Sequence, residues 1–231
     1  MATDFLQFLL QSLPDLMKGL GNTFLLTFVA ITAGFFIGLS LALGRVYGTK
    51  AINWFCLGYI EIIRGTPLLV QLFIIYFGLP SVGILFTPIQ AALLGLAINS
   101  GAYQAEYLRG SIQSIESGQM IAARSLGMSR LQSIQHVILP QALRVSIPAW
   151  SNEFIYLLQY SSIAYLITVS ELTLEGKFIA VHTYRYLEIF AIIAIIYLVL
   201  TIISTEIIDR IAKRLSIPGI GASKGIGLRD V

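Results

Sequence analysis

Charge is what this sequence has least of. Only 12% of its 231 residues are Asp, Glu, Lys or Arg, about half the share found in ordinary soluble domains. A chain that is 56% hydrophobic cannot hide its apolar surface in a water-soluble globule. That excludes a soluble enzyme, a disordered protein and a nucleic-acid-binding domain. The single cysteine, Cys56, rules out an internal disulfide and says nothing about redox compartment. The two histidines, His136 and His182, are isolated from each other, and neither CxxC nor H-E-x-x-H occurs, so no metal site is expected. A G-x-x-x-x-G-K-[ST] phosphate loop is also missing. The glycine-rich Gly221-Ala222-Ser223-Lys224-Gly225 has the wrong spacing and no strand before it. No serine has an obvious base. The chain is therefore expected to be non-catalytic and to bind no cofactor itself.

What it has instead is long apolar runs. Five stand out, over residues 23–43, 54–77, 88–108, 148–169 and 187–208. Each is long enough to cross about 30 Å of hydrocarbon as a helix, and none alternates like the strands of a membrane barrel. The expected fold class is an all-α integral membrane protein with five transmembrane helices. Of the fifteen Lys and Arg residues, eleven fall in segments 45–50 and 109–144 and in the tail, three (Lys18, Lys177, Arg185) on the other side, and Arg64 lies within a span. Basic residues gather on the cytoplasmic side, so the N-terminus is expected outside and the C-terminus inside. Residues 1–21 lack the basic cluster and cleavage site of a signal peptide. Their apolar residues fall on one face, which fits an interfacial helix or a frayed lead-in to the first span. The expected organisation is a single transmembrane domain over residues 1–213 and a cytoplasmic tail over 214–231. The segment carrying Glu171, Glu175, Lys177, His182 and Arg185 is expected to be an outward loop.

The cytoplasmic segment 109–144 is too polar to span and too long for a simple turn. Residues 117–123 can open a helix, and Gly127 permits a left-handed bend. Ser129 can cap a second helix over residues 130–138, and Pro140 stops that helix or starts the next segment. Such a knob suits docking into a groove on a cytoplasmic partner, or packs under its own spans.

The run Ile121-Ala122-Ala123-Arg124-Ser125-Leu126-Gly127, then nine residues, then Val137-Ile138-Leu139-Pro140, resembles the EAA loop. That loop marks the membrane subunits of binding-protein-dependent ABC importers. Ala122, Ala123, Gly127, Leu139 and Pro140 match. Ile121 stands where the motif has Glu, and Val137 where it has Ile, so a contact resting on that leading carboxylate is not carried over. Arg64-Gly65-Thr66-Pro67-Leu68-Leu69-Val70-Gln71 resembles the polar amino acid uptake branch, as do Asn99-Ser100, Glu106, Arg109-Gly110 and Asn152-Glu153-Phe154-Ile155. The resemblance implies a prokaryotic plasma-membrane permease that pairs with a second permease subunit, two cytoplasmic ABC ATPases carrying ATP and Mg, and an external solute-binding protein. It also implies that the segment around Gly127 is a coupling helix, with Ile121, Ala122, Ala123, Gly127, Leu139 and Pro140 at the ATPase contact.

Ionisable and polar groups at membrane depth are the candidates for a substrate pathway. Glu61 and Arg64, three residues apart, pair along one helix face or serve the pathway. Gly65 and Pro67 predict a kink or a broken helix. Asn99 in the third span and Gln159, Ser161 and Ser162 in the fourth lie at matching depth, with Glu153 nearer the inner end. They line a cavity for a zwitterion, or they glue helices together. Arg64, Thr66, Asn99, Glu153, Gln159, Ser161 and Ser162 form the expected pathway set, with Glu153 favouring a cationic amino acid. The expected function is import of polar amino acids, basic or amide, by alternating access. Import of another small polar solute (an opine, a compatible solute, a sulfur compound) and a non-transporting membrane scaffold are the alternatives.

Overall fold

A computed structural model describes residues 2–215 of the chain, and side chains from Gln7 to Arg214. Every regular element among the described residues is helical. The tail expected over 214–231, with its glycine-rich stretch, lies outside them from residue 216 on. The order is α1 (Ala2–Tyr47), α2 (Lys50–Arg64), α3 (Leu68–Phe73), α4 (Pro88–Gln113), α5 (Ser117–Ser125), α6 (Arg130–Ser133), α7 (Leu139–Tyr160), α8 (Leu172–Thr183) and α9 (Tyr186–Leu215). Irregular turns extend three of them. A π-turn (Ile74–Gly78) and a 3₁₀ turn (Leu79–Val82) follow α3, a π-turn (Ile134–Ile138) joins α6 to α7, and a 3₁₀ turn (Ser161–Ile167) follows α7.

Local chemistry sets the boundaries. Thr87 accepts the backbone N–H of Gln90 while the Gln90 side chain accepts that of Thr87, and Pro88 opens α4 without needing a donor. Thr49 caps α2 in the same way through Ile52. Between α2 and α3, Pro67 has no N–H to continue the ladder, and it pushes Thr66 out of helical geometry. The two helices diverge by 99°, so the second apolar run is broken where Gly65 and Pro67 stand.

The expected lead-in is not a separate helix. Residues 2–47 form one helix of 46 residues that carries Pro14 in its interior. The segment is held because α8 lies against it. Phe8 and Leu16 are buried with Leu172, Ala180, Ile189 and Ile193, and Gly19 meets the backbone of Glu171 and Leu172. The outward loop is likewise a correction: it contains α8, whose inner face is as buried as the core.

α1 and α4 make the closest helix pair. A Cβ built on Gly38 would lie 2.9 Å from the Ala105 nitrogen and 3.0 Å from the Gly101 carbonyl, and one on Gly101 would lie 2.7 Å from Ile37 Cγ2. Gly34 and Gly38 are spaced as in the small-x-x-x-small contacts of membrane helices, where missing side chains let backbones touch. Leu26, Ala30, Leu72, Leu96, Phe154 and Ile167 fill the core beside this contact.

Two helices, Gln7–Tyr47 and Tyr186–Arg214, are long and apolar enough to cross a membrane alone, and the bent pair Lys50–Arg64 with Leu68–Val82 makes a third. α4 and α7 fall short because they carry the polar residues of the interior. α7 also starts nine residues before the expected run at 148, at Leu139. Ala142 already packs with Ala42 and Leu108 at the inner ends of the first and third apolar runs.

Candidate substrate pathway and coupling surface

The 99° break frees backbone carbonyls, and Gln71 satisfies them. Its Nε2 donates to the carbonyls of Ile63 (2.7 Å) and Thr66 (3.0 Å) and to the Thr66 hydroxyl (2.9 Å). Its Oε1 accepts from Asn99 Nδ2 at 3.1 Å. Asn99 thus ties α4 to the broken helix. One residue on, Ser100 donates to Glu153 Oε1 of α7 at 2.7 Å. Gln104, one turn below Ser100, donates to the Ser100 hydroxyl (2.9 Å) and to the Ile31 carbonyl of α1 (3.1 Å). Trp150 of α7 donates to Gln104 Oε1 at 2.9 Å. A connected polar line therefore crosses an apolar core, and its members on α4 and α7 answer each other.

Glu153 is 5% exposed. Among the described residues no Lys, Arg or His pairs with it. Its carboxylate is held by Ser100, and the Tyr107 hydroxyl faces it. A buried charge without a counter-ion costs several kcal/mol. The nearby cation is Arg64, which stacks 5.1 Å above the Tyr103 ring rather than pairing with Glu61. Glu61 itself faces outward. Tyr107 interacts with both Glu153 and Arg64. The region thus holds a buried carboxylate, Glu153, and an exposed guanidinium, Arg64, both of which act electrostatically on Tyr107.

The structure brings together Asn99, Glu153 and Thr66 with Arg64 adjacent, and leaves the other three predicted residues apart. Gln159 is exposed and reaches Thr201 of α9 at 3.4 Å. Ser161 and Ser162 donate to the carbonyls of Leu158 (2.7 Å) and Gln159 (2.6 Å) in their own turn. Ser100 was named from sequence beside Asn99, whereas Gln71, Gln104 and Trp150 were not read as pathway residues. Gln71 closed the quoted Arg64–Gln71 stretch, and its position four residues after Pro67 was the available signal.

In the segment between α4 and α7, α5 runs into a left-handed residue, Gly127, at φ +87°. Ser129 caps α6, trading hydrogen bonds with Gln132. Pro140 does not end the helix but opens α7 at its first turn, after a π-turn that absorbs its missing donor. The element is rooted by Met120 and Val137, which pack on the cluster around Ala42 and Leu108, and by Arg130 over the Tyr47 ring. Ile121, Leu126 and Leu131 point away, at 65%, 83% and 62% exposed. Of the expected coupling residues, Ala122, Gly127 and Pro140 are exposed, Leu139 is half-buried, and Ala123 is buried against its own base. Three large apolar side chains thus stand exposed on a short polar element.

At the far end, Glu171 caps α8. Its carboxylate accepts the N–H groups of Thr173 (2.8 Å) and Leu174 (2.9 Å) and the Tyr197 hydroxyl (3.2 Å). Fully enclosed, its carboxyl is pushed up to about 7 by burial, against the pull of those donors. Thr23 accepts from the Leu172 nitrogen, and Asn22 donates to the Ser170 carbonyl.

The family model for the inner membrane component of binding-protein-dependent transport systems matches residues 11–217. The chain belongs to this family. The permease is 42% identical over 188 residues to the Bacillus subtilis protein named "Probable amino-acid ABC transporter permease protein YckA", covering 81% of this chain and 83% of that one. It is 38% identical over 208 residues to the glutamine transport system permease protein GlnP of Escherichia coli, covering 89% and 95%. The nopaline transport system permease protein NocM of Agrobacterium fabrum is 35% identical, with 88% of each chain covered. In three dimensions the permease resembles a chain of an amino acid ABC transporter crystallised with histidines, at a TM-score of 0.84 and 42% identity over 93% of this chain and all of that one. It shares the fold, at 23% identity and a TM-score of 0.75, with a chain of the MetNI methionine transporter. As a transport component of the inner membrane, the permease is a multi-pass helical protein.

Proposed function

We propose that the permease is the membrane subunit of an ATP-driven importer of polar amino acids. In this reading it crosses the bilayer five times, by α1, the bent α2–α3 pair, α4, α7 and α9, with α8 outside and α5–α6 in the cytoplasm. A second permease subunit completes the channel, a cytoplasmic ABC ATPase pair carries ATP and Mg, and an external binding protein delivers the solute. ATP binding closes the ATPases, the coupling surface around Gly127 transmits that movement, and the paired permeases alternate between inward-facing and outward-facing states.

The observation that carries the proposal is the polar line Thr66–Gln71–Asn99 and Ser100–Glu153 between helices that are otherwise apolar. The names of the relatives support amino acids as cargo. Glu153 receives the ammonium of the solute and Arg64 its carboxylate, while Asn99, Gln71 and Thr66 shape the wall. Similarity to NocM favours an opine, a basic amino acid derivative, as the second reading.

Uptake of a panel of labelled amino acids, in cells with and without the gene, tests the proposal. Selective loss of one basic or amide amino acid is the expected outcome. In the Glu153→Gln variant, arginine uptake should fall at least tenfold. An equal loss of glutamine uptake would assign Glu153 to the common ammonium group, and a smaller one to side-chain selection. Unchanged uptake of both would remove Glu153 from the route.

A further inference from the structure

A groove lies outside the polar line. It measures about 530 Å³ and lies between α1 and α7, walled by Phe35, Phe36, Leu143, Ile147 and Trp150, with Arg144 at its lower end. Its polar lining is already spent. Thr32 donates to the Phe28 carbonyl at 2.7 Å, Ser146 to the Leu143 carbonyl at 2.8 Å, and the Trp150 indole to Gln104. Apart from Arg144, the donors of the lining are engaged within the protein, so the groove suits hydrocarbon along most of its length. Arg144 is exposed, and among the described residues no carboxylate pairs with it.

The dimensions fit one leaflet. From Pro140 to Trp150 of α7 the helix rises about 15 Å, half of the ~30 Å hydrocarbon thickness. Ala142 shares a cluster with Ala42 and Leu108 at the inner ends of two apolar runs, so Arg144 stands close to headgroup level. Basic mouths of clefts between membrane helices attract anionic headgroups.

We infer that the α1–α7 groove seats one phospholipid of the cytoplasmic leaflet, an acyl chain lying against Phe36 and Ile147 and its anionic headgroup on the Arg144 guanidinium. The leaflet rests on the orientation proposed above; the groove and its chemistry do not. A lipid wedged there fills the space beside Trp150, and so backs the helix that carries Glu153.

The full chain, purified in mild detergent with the subunits that accompany it, is washed free of loose lipid. It is then titrated with phosphatidylglycerol or phosphatidylethanolamine, and bound lipid is counted by native mass spectrometry. One phosphatidylglycerol per chain is expected. Arg144→Gln should weaken its retention at least threefold with little effect on phosphatidylethanolamine, and Ile147→Trp should weaken both. Thr32→Phe, at the exposed rim, gives the same reading should Ile147→Trp lower the melting temperature. Phosphatidylglycerol retention unchanged by all three substitutions would overturn the inference. So would a disulfide between copies carrying Phe36→Cys, which would make a second permease the occupant. Protease access to a C-terminal tag reads the orientation separately, and a C-terminus found outside overturns the choice of leaflet alone.

Discussion

Gln71 does more at the break than any residue the sequence points to directly. Three of its contacts neutralise the Gly65–Pro67 interruption, and a fourth reaches Asn99. Gln71→Leu removes all four without changing the bulk of the side chain greatly. Each buried polar group left without a partner costs about 1–3 kcal/mol, so the purified protein should melt lower by that order, and uptake should fall with it. Glu171 makes a different prediction. Its carboxyl titrates near 7 in the folded protein against an ordinary 4.5, so the fold binds a proton that the unfolded chain has released. The stabilisation is complete below about pH 4.5 and is lost as pH rises through 7. The melting temperature of Glu171→Gln should vary less with pH than that of the wild type across that window. A parallel pair of curves would mean that Glu171 does not titrate there.

At the scale of elements, the glycines divide into those that are needed and those that are not. Gly38→Ala would place a methyl group within 3.0 Å of α4 backbone, which cannot move as a side-chain tip can, and should cost about 1–3 kcal/mol. Gly58→Ala meets nothing within 4 Å and should gain up to about 1 kcal/mol from helix propensity. Comparing the two melting temperatures separates packing from backbone entropy. The interruption at Gly65–Pro67, the bend at Gly127 and the cap at Ser129 were legible because glycine, proline and serine act on their own backbone. The α1–α4 contact was legible in principle, since Gly34 and Gly38 stand four apart, but the partner surface on α4 is not marked by any pattern. α8 was not legible: its charged residues suggest a loop, and it is packing against α1, some 150 residues earlier, and against α9 that buries Glu171 and Glu175. Gln159, Ser161 and Ser162 were read as pathway residues from depth alone, which does not reveal that the two hydroxyls are consumed by their own turn.

For the whole molecule, the two ends have opposite characters. One end is clasped by α8 and closed by hydrogen bonds with α1, whereas the other leaves Ile121, Leu126 and Leu131 exposed. The proposed orientation rests on the basic residues that flank α1, α4, α7 and α9 and on those of the tail. Gly127→Ala forces a side chain into a φ of +87°, where L-residues cost about 1–2 kcal/mol, while the space around it is open. The bend should therefore be disturbed with the spans intact. ATPase co-purification should fall while the melting temperature of the detergent-solubilised chain moves little. Normal co-purification would detach Gly127 from docking.

The π-turn at Ile134–Ile138 sets an angular phase as well as accommodating a proline. One inserted residue turns everything after it by about 100°, the share of a single residue in an α-helix. The face of α7 that carries Trp150 and Glu153 is therefore clocked against the docking surface by one residue's worth of rotation. Deleting a residue from that turn would shift Glu153 by only about 1.5 Å along the helix axis, yet swing its carboxylate more than a quarter of a revolution away from Ser100.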